Sequence, residues 1–235
     1  MRRWIHFAVS VTPVTFEFGG HAESIDDLTE YTFSGLAIGT AAANRRVIVR
    51  FATGSSNRTG VSVTVGGAAC SIVGDGVTTA AQAHGGAGTG SRSEVWITDA
   101  VFPTGTTADV VVTLSGGNLR CCVDSYAVYG ANPTAYDIKK DTAADGAGDG
   151  VLTANLDSPA SGAAFGFTSD GQASVTNTWT VLTEAHDSTA GGGESMSFTA
   201  AAKTYATAET GQTITCTRAD TTGAAAMILI SFAPE

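Results

Sequence analysis

Short runs of β-branched and aromatic residues recur along the chain, and many of them alternate with polar residues. Runs of about four to eight residues with this pattern predict strands that bury one face. Stretches rich in glycine, serine and aspartate separate the runs and predict turns and loops. No segment places apolar side chains at a sustained helical spacing. In the first half, the predicted strands are residues 14–18, 29–35, 46–52, 61–65, 69–73, 94–98, 108–114 and 122–129.

The second half repeats this order of segments. Residues 161–171 resemble residues 44–54, since each segment contains a phenylalanine followed a few residues later by a closing glycine. We therefore predict an all-β protein made of two tandem antiparallel β-sandwich units of jelly-roll type. The alternative is one large sandwich built from two related halves. The other matching segments are 178–187 with 65–76, 194–200 with 94–100, 206–217 with 102–114, and 225–234 with 123–133.

A change in composition marks the boundary between the two units. Residues 131–150 are rich in glycine, alanine and aspartate and lack a β-branched run. We place the first unit at residues 1–133, a linker at 134–150 and a second, shorter unit at 151–235. Within the first unit, TAAAN at residues 40–44 is a connection between two strands.

The charge balance limits the classes of partner. The 235 residues carry a net charge of −10, although only 14% of them are charged. A negative field repels phosphate backbones and anionic lipid, so neither nucleic acid nor a membrane surface is expected as a partner. Five arginines lie within the first fifty residues, and we interpret them either as solubilising charges at strand ends or as a docking group for an acidic neighbour. They are Arg2, Arg3, Arg45, Arg46 and Arg50.

The four cysteines do not form a disulfide framework. Cys121 and Cys122 are adjacent, so on a strand they project to opposite faces. Cys70 and Cys216 are isolated, and the chain has no C-x-x-C motif. Buried free thiols are favoured over a Cys70–Cys216 disulfide, which indicates assembly in a reducing compartment.

Residues able to do chemistry are present, but none has a recognised catalytic or metal-binding spacing. Asp141, Asp145 and Asp149 lie four residues apart, whereas calcium loops place oxygen ligands at every second position. We therefore predict no metal site and keep these three aspartates as the best candidates. No Gly-x-Ser-x-Gly motif occurs, and no histidine lies at metal-ligand spacing from another histidine or a cysteine. The prediction is a protein without enzymatic activity or cofactor.

Four segments in order resemble a type of β-rich protein encoded near the virion structural genes of tailed bacteriophages. They are TFSGLAIGTAAANRRVIV, VTVGGAACSIV, EVWITDAVFPTGTTADVVVTLSG and SYAVYGA. The resemblance spans most of the chain and rests on structural positions, so it transfers no site residues. It implies a capsid decoration (cement) subunit, or a head-fibre or tail-appendage component. The implied partners are major capsid or tail subunits and further copies of the chain, with a trimer favoured. The implied location is the virion, after assembly in the bacterial cytoplasm.

Two other function classes remain open. A carbohydrate-binding tail or fibre module requires exposed aromatic platforms, and Trp96 and Trp179 are the candidates for sugar stacking. In predicted strands, however, tryptophan more often packs in the core. A glycoside hydrolase or esterase requires two carboxylates, or a nucleophile and its base, to meet in space. Under the structural hypothesis the five arginines named above form the docking surface.

Overall fold

The computed structural model describes residues 11–54, 58–76, 79–85, 91–102, 104–118, 120–143, 150–171, 176–190, 196–219 and 223–235. All regular elements in these ranges are β-strands, and the strand pairs are antiparallel. The all-β fold class predicted from the alternating pattern is confirmed.

The first half of the chain contains strands β1 to β9. They are β1 (Thr15–Ser24), β2 (Leu28–Ala37), β3 (Arg45–Thr53), β4 (Gly60–Val65), β5 (Ala68–Ile72), β6 (Gln82–His84), β7 (Arg92–Thr98), β8 (Thr107–Asn118) and β9 (Cys121–Tyr129). They form one sheet in the order β1-β9-β3-β7-β5-β4-β8-β2, with β6 also paired to β7. Because β1 and β2 at the two ends contact each other, this sheet is nearly closed, like a barrel.

The second half contains strands β10 to β17. They are β10 (Asp137–Ala143), β11 (Val151–Ser158), β12 (Ala163–Asp170), β13 (Asn177–Trp179), β14 (Thr183–Ala190), β15 (Met196–Thr204), β16 (Glu209–Arg218) and β17 (Ala225–Phe232). A five-stranded sheet has the order β10-β17-β12-β15-β14, and a three-stranded sheet has the order β11-β16-β13. Leu152 and Ile214 of the smaller sheet pack with Ala164 and Leu229 of the larger one.

The two halves share one strand order, as the repeated segments in the sequence predict. The order β1-β9-β3-β7 recurs as β10-β17-β12-β15, and β2-β8-β4 recurs as β11-β16-β13. The halves differ at the next strand along the sheet. In the first half, β1-β9-β3-β7 and β2-β8-β4 form two layers, and β5 joins them because it pairs with both β4 and β7. In the second half, β14 pairs with β15 and not with the smaller sheet.

A third core lies between the halves. Ile48 and Tyr126 of the first half pack in one cluster with Phe165, Phe167 and Ile228 of the second. The β1-β9-β3-β7 face therefore lies against the β10-β17-β12-β15 face, and four β-layers are stacked. The structure thus combines the two alternatives from the sequence, since each half is a sandwich-like unit and the halves also supply facing sheets.

The expected linker at residues 134–150 contains a strand. Residues 137–143 form β10, which pairs with β17 along its whole length. Ile138 and Ala143 are buried, while the lysines between them are partly or fully exposed. One buried isoleucine among charged residues is too weak a pattern to predict a strand, and pairing with the apolar β17 supplies the stability. Residues 144–149 lie outside the described ranges.

Candidate functional site between the two halves

A row of three polar side chains crosses the face of the first half that lies against the second. β9 lies between β1 and β3, and its Asp124 has His21 as the register partner on one side and Arg50 on the other. Asp124 Oδ2 lies 2.6 Å from Arg50 Nη2, and neither side chain has exposed surface. Asp124 Oδ1 lies 2.7 Å from His21 Nδ1. One buried carboxylate thus joins a guanidinium and an imidazole.

A bulge places His21 in this row. The register of β1 with β9 shifts between Phe18 and Gly20, so Gly19 is an extra residue. Without the shift, the alternation of the strand would turn His21 to the other face. Glycine suits the bulge, because a Cβ at this position would lie 2.5 Å from both Ala37 O and Ser125 Oγ.

A second bulge brings in a histidine from the other half. The register of β14 with β15 shifts between Glu184 and His186, which turns His186 toward the shared core. Its ring lies 4.2 Å from that of His21, centroid to centroid. The Nε2 atom of His186 is buried and has no hydrogen-bond partner among the residues that the structure describes. Two residues further on, Ser188 Oγ lies 3.1 Å from His21 Nε2.

We call His21, Arg50, Asp124, His186 and Ser188 the inter-half cluster. Burial alone would raise the pKa of the Asp124 carboxyl, but Arg50 and the hydrogen bond with His21 lower it below its ordinary value. Burial lowers the pKa of His186, and the positive charge of Arg50 acts in the same direction. The cluster therefore holds an ionised Asp124 beside a histidine that favours its neutral form.

Sequence reasoning missed this cluster, because its members come from β1, β3, β9 and β14. The neighbours His186 and Asp187 face opposite ways on β14: His186 turns toward the shared core, and Asp187 Oδ2 accepts a hydrogen bond from Asn177 N on β13. The sequence motifs give no support for a Ser–His–Asp arrangement, since no Gly-x-Ser-x-Gly motif occurs. Ser188, His21 and Asp124 are connected in the hydrogen-bond order of a hydrolase triad.

Two of the three docking arginines that the structure describes are interior. Arg45 is fully buried; its Nε donates to Phe102 O at 2.8 Å and its Nη2 to Thr104 O at 2.7 Å. Arg50 is buried in the inter-half cluster. Both lie on β3, a central strand covered on both faces, so the expectation that they form an exposed docking surface was wrong.

Of the remaining three arginines of that group, the structure describes one. Arg46 keeps 14% of its side chain exposed and donates from Nη1 to Thr98 O and Asp99 O, while its Nε lies 4.0 Å from a carboxylate oxygen of Glu235. Arg2 and Arg3 lie outside the described residues. Of the five, Arg46 alone is described with a partly exposed guanidinium.

The two candidate sugar platforms are interior residues as well. Trp96 and Trp179 are each 8% exposed. The indole of Trp96 donates to Glu94 Oε2, and that of Trp179 donates to Thr199 Oγ1. Trp96 belongs to the hydrophobic core of the first half and Trp179 to that of the second, which corrects the expectation that they could stack on a sugar.

The three aspartates proposed as weak metal candidates are not brought together by any described contact. Asp141 lies on β10, and its carboxylate accepts hydrogen bonds from Thr142 N and from Thr153 N on β11. Its role there is to join two strands of the second half. Asp145 and Asp149 lie outside the described residues.

Comparisons with known proteins do not place the chain in a family. No protein-family model and no curated protein matches it. Among solved structures, the crystal structure of Cucumber Necrosis Virus aligns over 100% of this chain and 94% of the viral chain, at 10% identity and a TM-score of 0.26. The described residues include no helix long and apolar enough to cross a membrane.

Proposed function

We propose that the chain is a non-enzymatic structural component of a tailed-bacteriophage particle, a capsid decoration or surface-appendage subunit that acts through protein–protein contacts. The observation that carries the proposal is that the residues whose types suit a binding site make contacts inside the chain instead. Arg45, Trp96 and Trp179 all have partners within the chain, and Arg50 donates a hydrogen bond to Thr199 O of the second half. The result is a stack of β-layers, which suits a subunit whose surface contacts neighbouring subunits.

The cysteines support the same proposal. All four are free and buried. Proteins that fold in a bacterial cytoplasm keep their thiols reduced, so free buried cysteines fit assembly inside the host cell. The net charge of −10 would keep many copies soluble before they assemble.

The test is the protein composition of purified particles. Particles released from cells that carry the gene are purified on a density gradient, and their proteins are quantified by peptide mass spectrometry. The proposal expects this chain at a fixed ratio to the major capsid or tail protein. The isolated chain should also form a homo-oligomer, with a trimer of three 23.7 kDa chains favoured. A chain that stays in the soluble fraction and never co-purifies with particles would overturn the proposal.

A second candidate is ester hydrolysis, which the Ser188–His21–Asp124 connection favours. In such an enzyme His21 would take the proton of Ser188, and Asp124 would hold the imidazole in place. Ser188, however, lies within strand β14, whereas the nucleophile elbow places serine at a strand-to-helix turn. A fluorophosphonate probe decides between the candidates, since covalent labelling of Ser188 would indicate a hydrolase and the structural proposal expects none.

A further inference from the structure

The inter-half cluster contains three converging ligand atoms. His21, Asp124 and His186 each offer one nitrogen or oxygen atom, and these atoms lie within 4.8 Å of one another. Ligand atoms on a tetrahedral zinc ion are about 3.3 Å apart, given bonds of about 2.0–2.2 Å. Small side-chain rotations would therefore suffice to bring all three atoms onto one ion.

His186 supplies the observation that points to a ligand. Its Nε2 is buried and has no hydrogen-bond partner within the described chain. A buried polar atom without a partner loses its hydration with no compensation, so native structures rarely retain one without a reason. A bound cation that accepts this lone pair would supply that compensation.

The surroundings of His21 and Asp124 match the outer shell of a metal site. Ligating histidines usually place their second ring nitrogen in a hydrogen bond, and ligating carboxylates are themselves hydrogen-bonded. Here the second ring nitrogen of His21 lies 3.1 Å from Ser188 Oγ. Asp124 Oδ2 faces Arg50, and Oδ1 becomes free to bind an ion when the Nδ1 proton of His21, which it accepts in the ion-free chain, is displaced. These partners fix the orientation of both ligands before an ion arrives.

We propose that His21, Asp124 and His186 form a binding site for a divalent transition-metal ion that joins the two halves of the chain. Two imidazoles and one carboxylate suit zinc, cobalt or nickel, whereas magnesium and calcium require sets of oxygen ligands. His21 binds through Nδ1, and the proton that Nδ1 carries in the ion-free chain moves by way of solvent to Nε2, where the new Nε2–H donates to Ser188 Oγ.

The charges around the cluster determine how strongly an ion is held. Arg50 opposes a divalent cation, because its guanidinium is bound to the ligating carboxylate. Glu23 offsets part of this charge, since its Oε2 lies 3.7 Å from His21 Nε2 and its side chain is 38% exposed. The partly exposed edge formed by His21 and Glu23 also gives an ion a route into the site.

The experiment uses the full chain without an affinity tag, freed of metal by a chelator and then dialysed. Zinc and cobalt are titrated separately, with calorimetry for stoichiometry and visible absorption for cobalt coordination. The proposal expects one ion per chain, a d–d spectrum of nitrogen and oxygen ligation, and a higher Tm with zinc, because the ion binds the folded chain. Magnesium and calcium at the same concentrations should produce none of these effects.

Variants locate the ion. His186→Ala should abolish zinc binding, and Ser188→Ala should weaken it about tenfold. His84→Ala is the matched control, because His84 is a strand histidine outside the cluster and should leave binding unchanged. Circular dichroism shows whether each variant folds. The site does not exist if the wild-type chain shows neither a heat of zinc binding in calorimetry nor a zinc-dependent Tm. It also does not exist if the folded His186→Ala variant binds zinc as the wild type does.

Discussion

Arg50 on β3 and Asp124 on β9 form an ion pair without any solvent-exposed side-chain surface, with Nη2 and Oδ2 2.6 Å apart. The guanidinium of Arg50 also lies over the rings of Phe167 and Phe198 in the second half, at 5.8 and 5.4 Å from their centroids. Counted back from Gly54 and Gly171, Phe167 occupies the position in β12 that Arg50 occupies in β3. Equivalent positions of the repeat thus face each other across the shared core.

Removing one partner of this pair should destabilise the chain strongly. In Asp124→Asn the buried guanidinium of Arg50 loses its counter-ion. In Arg50→Met the buried carboxylate of Asp124 loses its counter-ion. Each change should lower the free energy of unfolding by about 3–5 kcal/mol. Urea denaturation followed by tryptophan fluorescence measures the change. The control is Arg46→Met on the same strand, whose partly exposed guanidinium leaves no buried charge unpaired.

The double variant Arg50→Met/Asp124→Leu should recover much of this loss. Replacing both charges with apolar side chains leaves no unpaired charge, as at Phe167 and its register partner Ile228 in the second half, although His21 Nδ1 loses its hydrogen bond with Asp124. The same denaturation series measures the recovery. If the loss in the double variant equals the sum of the losses in Arg50→Met and Asp124→Leu, the two side chains are not coupled, and this prediction is contradicted.

Gly85 should tolerate no side chain, because it lies at a close approach of the two halves. A Cβ at this position would lie 2.1 Å from the backbone oxygen of Ala225. Gly85→Ala should therefore lower stability by about 1–3 kcal/mol through overpacking. Gly74→Ala is the control, since the nearest atom to its Cβ would be 3.4 Å away. Thermal unfolding compares the two, and equal Tm values would mean that the halves are loosely packed here.

The four thiols should be inert in the folded chain. Burial raises the pKa of Cys70 and of Cys216 to about 12, and it raises the pKa values of Cys121 and Cys122 as well. A thiol reacts as its thiolate, so almost none is available at pH 8. Ellman's reagent should detect no thiol in the native chain and all four in guanidinium. Rapid reaction of any thiol without denaturant would place that cysteine at the surface.

Local patterns were sufficient to predict eight of the nine strands of the first half and the repetition of their order, but not β6 or β10. The run at residues 46–52 falls within β3, because an apolar run bounded by turn residues specifies a buried strand without long-range information. The GG pair at 66–67 was predicted as a turn, and Gly66 and Gly67 adopt positive φ values of 55° and 79° between β4 and β5.

The inter-half cluster could not be predicted in the same way. His21 and His186 reach the shared core through two bulges, and a one-residue register shift leaves no trace in the alternation of apolar and polar residues. One signal was present: Arg50 and Asp124 each interrupt an apolar strand with a charge. Opposite charges in two buried strands indicate that those strands are neighbours, and this would have placed β3 beside β9.

The most direct test of the account is a comparison of particles with and without this chain. Cryo-electron microscopy maps are calculated for particles from a wild-type host–phage pair and from the same pair with the gene deleted. The account predicts a repeated density on the capsid or a tail appendage that fits the stacked β-layers and is missing after deletion. Identical maps, with the chain absent from both particles, would contradict a structural role in the virion.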